Sequence, residues 1–425
     1  MQKEPTDEEI VTQEEVNQAE VAEKETTHPK KLSRKRKIII IVTAAIVLLL
    51  GAGTAVYFFI LRPMWDKQPD TEVIIAEEEI IEEIHYYSKL SGEEIADESL
   101  NSLPIFCMQI PNGLDGARPQ VGLAAAPIVF EALAEGGITR FAALFQGVNS
   151  GMIGPIRSLR LYYLEWDTPF DCTIVHAGGS TDALAAVRAG NYRDLTESYS
   201  YMWRDYSAYW APNNLFTSTA LLNQFNADHG YTTSDFTAPA RLTPPESEAA
   251  RTAASESAKP QKSTDDDGKE TETPGTPLVT SVALRFGNGI GSFDVNYAYD
   301  ADSNSYLRSY ASGEPHTSYL CPAELPANPR PQVDCGTATQ LAPKVVVAMM
   351  LNQSLNADGK RQDITTTGSG DAYIFQNGTA TKATWTKNDK FSQLKFTDAN
   401  GEEVKLAPGQ AWITALPNGR GQVIY

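Results

Sequence analysis

The sequence predicts an α/β N-terminal extracytoplasmic domain and a mostly-β C-terminal domain, both following one N-terminal transmembrane helix. Three observations carry this. Residues 38–61 form an uncharged apolar run. Residues 101–241 mix continuous apolar runs with a segment of helical spacing, and residues 278–425 repeat short β-prone runs separated by turn signals. The 425 residues are enough for two or three folding units.

The first 37 residues read as a disordered cytoplasmic tail, Glu-rich and without aromatics. The tail ends in a basic cluster: Lys30, Lys31, Arg34, Lys35, Arg36 and Lys37. The run IIIIVTAAIVLLLGAGTAVYFFIL follows at 38–61. As a helix rising about 1.5 Å per residue it spans roughly 36 Å, more than the ~30 Å hydrocarbon core of a bilayer. The basic residues precede it, so the positive-inside rule places the N-terminus in the cytoplasm and the large body outside the cell membrane. The cluster should also attract anionic headgroups. Residues 62–100, with Ile and Val scattered among glutamates, read as an acidic stalk.

Within 101–241, IFCMQI and TRFAALFQGV read as strands, and IVFEALAEGG as a helix or strand ending at Gly136-Gly137. CTIVHAGGSTDALAAVRAG reads as strand, glycine turn and helix, with Ser180 or Thr181 as N-cap. Residues 242–277 are almost free of large apolar side chains and read as a disordered linker. From 278 onward VTSVALRF, FDVNYAYD, NSYLRSY, KVVVAMML and AWITALP read as strands of a sandwich or partial barrel. Asn377-Gly378 and Asn400-Gly401 are type I′ hairpin signals.

The net charge of −19 argues against a nucleic-acid partner, which needs a basic face. Four cysteines exclude a disulfide-dense scaffold but leave room for two bridges outside the cell. Cys321 and Cys335 bracket a Pro-rich loop. Cys107 and Cys172 each lie in a strand candidate and could pair across a sheet, although free buried thiols are an alternative.

Polar residues cluster between 131 and 214. Gly178, Gly179 and Ser180 form a strand-to-helix turn whose free N–H groups suit an anion. Arg157 and Arg160 are three apart, on one face if helical, and paired guanidiniums suit a carboxylate or phosphate. Tyr199, Tyr201, Trp203, Tyr206, Tyr209 and Trp210 crowd twelve residues and could stack sugar rings or a peptide. Arg140, His176, Arg204, Asp205 and Asn214 complete the candidate ligand site, with Glu131 and Glu135 as acidic partners of the arginines. Alternatively these groups hold the fold, with His176 a satisfied core histidine. No metal ligand set, cofactor motif or nucleophile elbow stands in the sequence.

LDGARPQVGLAAAPIVFEALAEGGITRFAALFQ, GPIRSLRLYY, FDCTIVHAGGS, WRD and APNNLFTS resemble, in order, the YerB-like family of bacterial proteins built from paired N- and C-terminal domains of unknown function. NYAYDADSNSYLRSYASGEPH, KVVVAMML, GSGDAYIFQNG, ATW and GEEVKLAPGQAWI resemble its C-terminal half. The resemblance implies an extracytoplasmic, membrane-attached protein and no established activity. Many members look lipid-anchored through an N-terminal cysteine. No cysteine precedes Cys107 here, so the 38–61 helix is the expected anchor. The family commonly has His where Asn213 stands, and an acidic residue after His316. The expected function is binding of an anionic or sugar-containing envelope ligand. The alternatives are an envelope hydrolase using Glu131, Glu135, His176 or Asp205, and a protein-interaction scaffold.

Overall fold

A computed structural model describes residues 34–62 and 84–425, except 265, 267–269, 290, 324–334 and 358. The expected cytoplasmic tail up to residue 33 and the stalk over 63–83 lie outside the described residues. The chain divides into two units, Met1–Glu82 and Glu83–Tyr425.

In the first unit, Arg34–Val56 is helical (α1) and runs into a π turn at Tyr57–Leu61. Within it Ile38–Leu61 spans 24 residues with mean hydropathy 2.6, and none of it is buried. Such an apolar exposed surface is stable only against an apolar partner.

The second unit is built around one ten-stranded sheet. Its strands are β1 Phe106–Pro111, β2 Ile128–Leu133, β3 Thr139–Phe145, β4 Thr173–Val175, β5 Arg193–Leu195, β6 Val345–Leu351, β7 Gly368–Gln376, β8 Thr379–Lys387, β9 Lys395–Thr397 and β10 Ala411–Pro417. Their order is β9-β8-β7-β6-β10-β2-β3-β1-β4-β5. The first five and last five strands in the chain thus occupy opposite halves of one sheet. They meet where β10 pairs in parallel with β2, setting Trp412 beside Val129 and Thr414 beside Glu131. The separate sandwich or barrel expected for the C-terminal half does not form. Most of its strands divide between this shared sheet and a four-stranded sheet of Ser305–Tyr310, Val295–Asp300, Ser281–Arg285 and Gln422–Ile424.

The central strands are buried on both faces, which explains why they read as unbroken apolar runs. IVFEAL, TRFAALF and AWITALP are buried throughout. Along β2, Ile128, Phe130 and Ala132 enter one core, with Trp166, Phe170 and Ile413. Val129 and Leu133 face the other side, where the four-stranded sheet stacks Leu284, Tyr297 and Tyr306 on Val346, Phe375 and Leu416. IVFEALAEGG is therefore a strand, its period set by burial between two layers rather than by helical spacing.

Helices α2 Leu161–Asp167, α3 Thr181–Ala189 and α4 Thr219–His229 belong to the N-terminal half. Among the described residues from 278 to the end no helix occurs. Asn377 and Gly378 both take positive φ and close the β7–β8 hairpin as a two-residue turn. At Asn400-Gly401 only the glycine is left-handed, and the loop is longer.

Two stretches depart from expectation. Residues 242–277 carry a helix, α5 Pro244–Ser257, and a hairpin pairing Gln261–Thr264 with Glu270–Thr273. The helix buries only Ser247. A capping box between Thr243 and Glu246 and the Arg251–Glu248 ion pair stabilise it locally, so apolar content did not signal it. Near the end of the expected stalk, Tyr86–Tyr87 pairs with Glu94–Ile95, Leu90 is fully buried, and Arg241 donates to the Leu90 carbonyl. The folded body therefore begins before residue 90.

Candidate ligand-binding site

The glycine turn forms as the sequence suggests. β4 ends at Val175, His176 follows, and α3 starts at Thr181 with Ser180 as N-cap. Gly178 takes φ +64°, a left-handed conformation that favours glycine. Its carbonyl accepts from the Leu159 N–H and lies 2.7 Å from His176 Nδ1. His176 Nε2 is 2.7 Å from Asp194 Oδ1. His176 is fully buried with both ring nitrogens engaged, so it pins the turn and presents no free nitrogen for acid–base work. The Ser180 hydroxyl caps nothing and is buried without a partner.

Arg157 and Arg160 do not share a helix face. Residues 151–160 are extended, and Arg160, at φ −125° and ψ 151°, is the N-cap of α2. In an extended chain, positions three apart point to opposite sides. Arg160 pairs with Glu135 and donates to the Leu159 carbonyl at 2.6 Å. Arg140 approaches Glu135 at 3.4 Å and donates to the Ser158 carbonyl at 2.6 Å. Burial, then the neighbouring Arg160 charge, pushes Arg140 down to about 10.

Arg157 is different. Its Nε is buried with no hydrogen-bond partner. Burial lowers its pKa, Asp115 and Glu135 raise it, and Arg160 and Arg204 lower it. Its guanidinium is thus in electrostatic reach of two acids and two further arginines. On that side Arg204 bonds Asn214 Oδ1 at 2.8 Å and Glu197 at 2.6 Å, while Asn214 Nδ2 is buried without a partner. Asn213 donates to the Asp115 carbonyl at 3.0 Å.

The aromatic run splits. Tyr209 is buried and donates to the Pro119 carbonyl, whereas Tyr199, Tyr206 and Trp210 are 66%, 69% and 76% exposed. Tyr199 accepts from Arg204 Nε, tying this surface to the arginines.

Glu131 falls outside the cluster, whereas Asp205 is tied to it by its backbone, its N–H donating to the Asn214 carbonyl at 2.9 Å. Asp205 Oδ1 is taken by the backbone and hydroxyl of Ser207, a local turn. Glu131 is fully buried and partners Arg308 rather than the nearby arginines, with Arg308 Nη2 at 3.0 and 2.9 Å from its two oxygens and Trp412 Nε1 at 2.8 Å. Arg308, also fully buried, donates Nε to His316 Nδ1 at 2.8 Å and bonds the Tyr297 hydroxyl. His316 Nε2 meets Gln120 Oε1 at 3.0 Å. Arginine is a donor only, so His316 accepts at Nδ1 and holds its proton on Nε2. Burial, then the Arg308 and Arg118 charges, keeps its pKa well below the usual value. The sequence reading missed this network, because Glu131 and Arg308 are 177 positions apart. The one available signal was a lone glutamate inside an apolar strand.

Both expected bridges form, Cys107–Cys172 and Cys321–Cys335. The first joins β1 to the residue before β4, which pair in parallel.

Fold and site define a sheet-rich, disulfide-linked protein of two sequence halves, preceded by an apolar helix and bearing an arginine cluster beside exposed aromatics. Residues 90–232 match the N-terminal domain, and residues 282–413 the C-terminal domain, of the DUF3048 proteins of unknown function. The chain belongs to the YerB-like family, in which these two domains are paired. It is 28% identical over 315 residues to "Putative lipoprotein YerB" of Bacillus subtilis (strain 168), covering 73% of this chain and 80% of that one. The crystal structure of the YerB protein from Bacillus subtilis shares the fold, with TM-score 0.60 at 22% identity over 80% of this chain and all of that one.

Proposed function

We propose that the protein is a single-pass, membrane-anchored extracytoplasmic protein whose body holds an anionic or sugar-bearing envelope ligand. Ile38–Leu61 is the transmembrane helix, its N-terminus is cytoplasmic, and an α/β N-terminal domain joins a mostly-β C-terminal domain outside. The uncharged helix behind a basic cluster supports this topology. So do the two disulfides, which persist in oxidising compartments, and the lipoprotein name of the relative.

The observation that carries the ligand reading is Arg157, whose Nε is buried and unpartnered and whose guanidinium is in electrostatic reach of Arg204, itself bonded to the exposed Tyr199. A guanidinium with spare donors suits a carboxylate or phosphate, and exposed rings suit sugar faces. The test is a thermal shift of the full chain in detergent with anionic wall and teichoic-acid fragments. A fragment should raise the melting temperature of the native protein and leave Arg157→Ala unmoved. Equal shifts in both, or none with any fragment, would refute the ligand reading. Protease added to intact cells should digest the body and spare the tail, and a spared body refutes the topology.

A further inference from the structure

A cavity of about 150 Å³ lies between the two sequence halves and is lined neither by the exposed aromatics nor by Arg157. Arg160 and Ser180 contribute from the N-terminal half, and Gln362 from the C-terminal half. Each of these three is more than nine-tenths buried: Arg160 is 8% exposed, Ser180 5% and Gln362 8%. Each also carries a buried polar atom with no partner, namely Arg160 Nε, Ser180 Oγ and Gln362 Oε1. Three unpaired buried groups on residues that line one small space are costly unless something completes them.

We infer that this cavity is a binding site for a small α-amino-acid zwitterion. Arg160 Nε is a donor, and the first turn of α3 opens here with the Ser180 hydroxyl capping none of its N–H groups. That end calls for an oxyanion. The lining also carries Gln362 Oε1, an acceptor, the carboxylates of Glu165, Asp363 and, in the first turn of α3, Asp182, and a second guanidinium, that of Arg361. These acceptors call for a charged N–H donor. A simple anion would meet three acids, and a simple cation would meet two arginines and the positive helix end. A ligand bearing an ammonium one carbon from a carboxylate answers both. The volume agrees, since a cavity of this order holds a guest of about six heavy atoms, the size of alanine. Glu165 is held in place by the Thr366 hydroxyl, so the acidic wall is preorganised. This inference is independent of the surface ligand proposed above.

The test is calorimetric titration of the full chain in detergent with glycine, D-alanine and L-alanine, alongside acetate, ethylamine, inorganic phosphate and glycerol. The amino acids should bind, and acetate and ethylamine separately should bind at least roughly tenfold more weakly, each forfeiting one charged contact. Gln362→Met and Ser180→Ala remove groups that have no partner in the protein. Both variants should therefore keep the melting temperature of the unliganded native chain while losing amino-acid affinity by roughly tenfold or more. The inference is overturned if no amino acid binds and only water fills the cavity, or if the variants bind amino acids as tightly as the native chain. It is equally overturned if phosphate, acetate or glycerol binds as well as the amino acids do.

Discussion

Replacing Glu131 by Gln removes the charge that neutralises Arg308 and leaves a cation in a site with no access to water. Both side chains are fully buried. In the native protein Glu131 takes two contacts from Arg308 Nη2, at 3.0 and 2.9 Å, and one from Trp412 Nε1 at 2.8 Å. Burial opposes the Arg308 charge, and Glu131, Tyr297 and Tyr310 together more than compensate, holding its pKa above the ordinary value. The Arg308 guanidinium also sits 4.2 Å over the Trp412 ring. Glutamine keeps the shape but turns an amide toward one of these donors. Breaking a buried pair from one side costs about 3–5 kcal/mol. For a chain this large, at the low end of about 2–4 °C per kcal/mol, the melting temperature falls by roughly 6–10 °C. Urea unfolding followed by tryptophan fluorescence should show a lower midpoint with unchanged slope. The sheet runs unbroken through both halves, so the transition should stay single. The double variant Glu131→Leu with Arg308→Met should recover most of the loss, because replacing a whole buried pair by apolar side chains is near neutral. A single-variant cost below about 1 kcal/mol, or a double variant no better than the single one, would refute the account.

Three further outcomes follow from the same structure. The His316 pKa lies below its unfolded value near 6.5, so the unfolded chain binds a proton that the fold refuses. Stability should therefore fall as pH drops below about 6.5, with a slope approaching about 1.4 kcal/mol per unit from this group, and the slope should flatten in His316→Gln. Reducing Cys107–Cys172, which closes a loop of 65 residues, should cost about 4 kcal/mol, and alkylation followed by intact-mass measurement should find four thiols only after reduction. Gly178→Ala meets open space but a φ of +64°, so it should cost about 1–2 kcal/mol from backbone strain alone and loosen the turn that His176 pins.

Much of the fold was legible because burial between two layers leaves a direct mark on sequence. KVVVAMML and AWITALP read as strands since every position but Lys344 and Met350 is buried. VHAGGST read as strand, turn and helix because glycine and serine act locally. α5 was not legible. Its capping box lies at 243–246, but it lacks an apolar stripe, and it rests on the body through polar contacts such as Ser247 Oγ to Asn377 Oδ1. The arginine site was half legible. Glu135 did pair with Arg140 and Arg160, yet the i, i+3 spacing of Arg157 and Arg160 was read as helical when the segment is extended. Nothing within ten residues of Arg157 signals that conformation apart from Gly154-Pro155.

The sequence alone determined the apolar helix, the strand runs, the glycine turn and which cysteines could be near each other, because each depends on neighbours within a few residues or on bulk composition. The tertiary structure alone decided that the two halves share one sheet, that Glu131 belongs to Arg308, and that Arg160, Ser180 and Gln362 meet around a common space. Those facts depend on which strands become neighbours. Parallel pairing of Ala411–Pro417 with Ile128–Leu133 joins positions almost three hundred residues apart, and no local pattern in either strand names its partner.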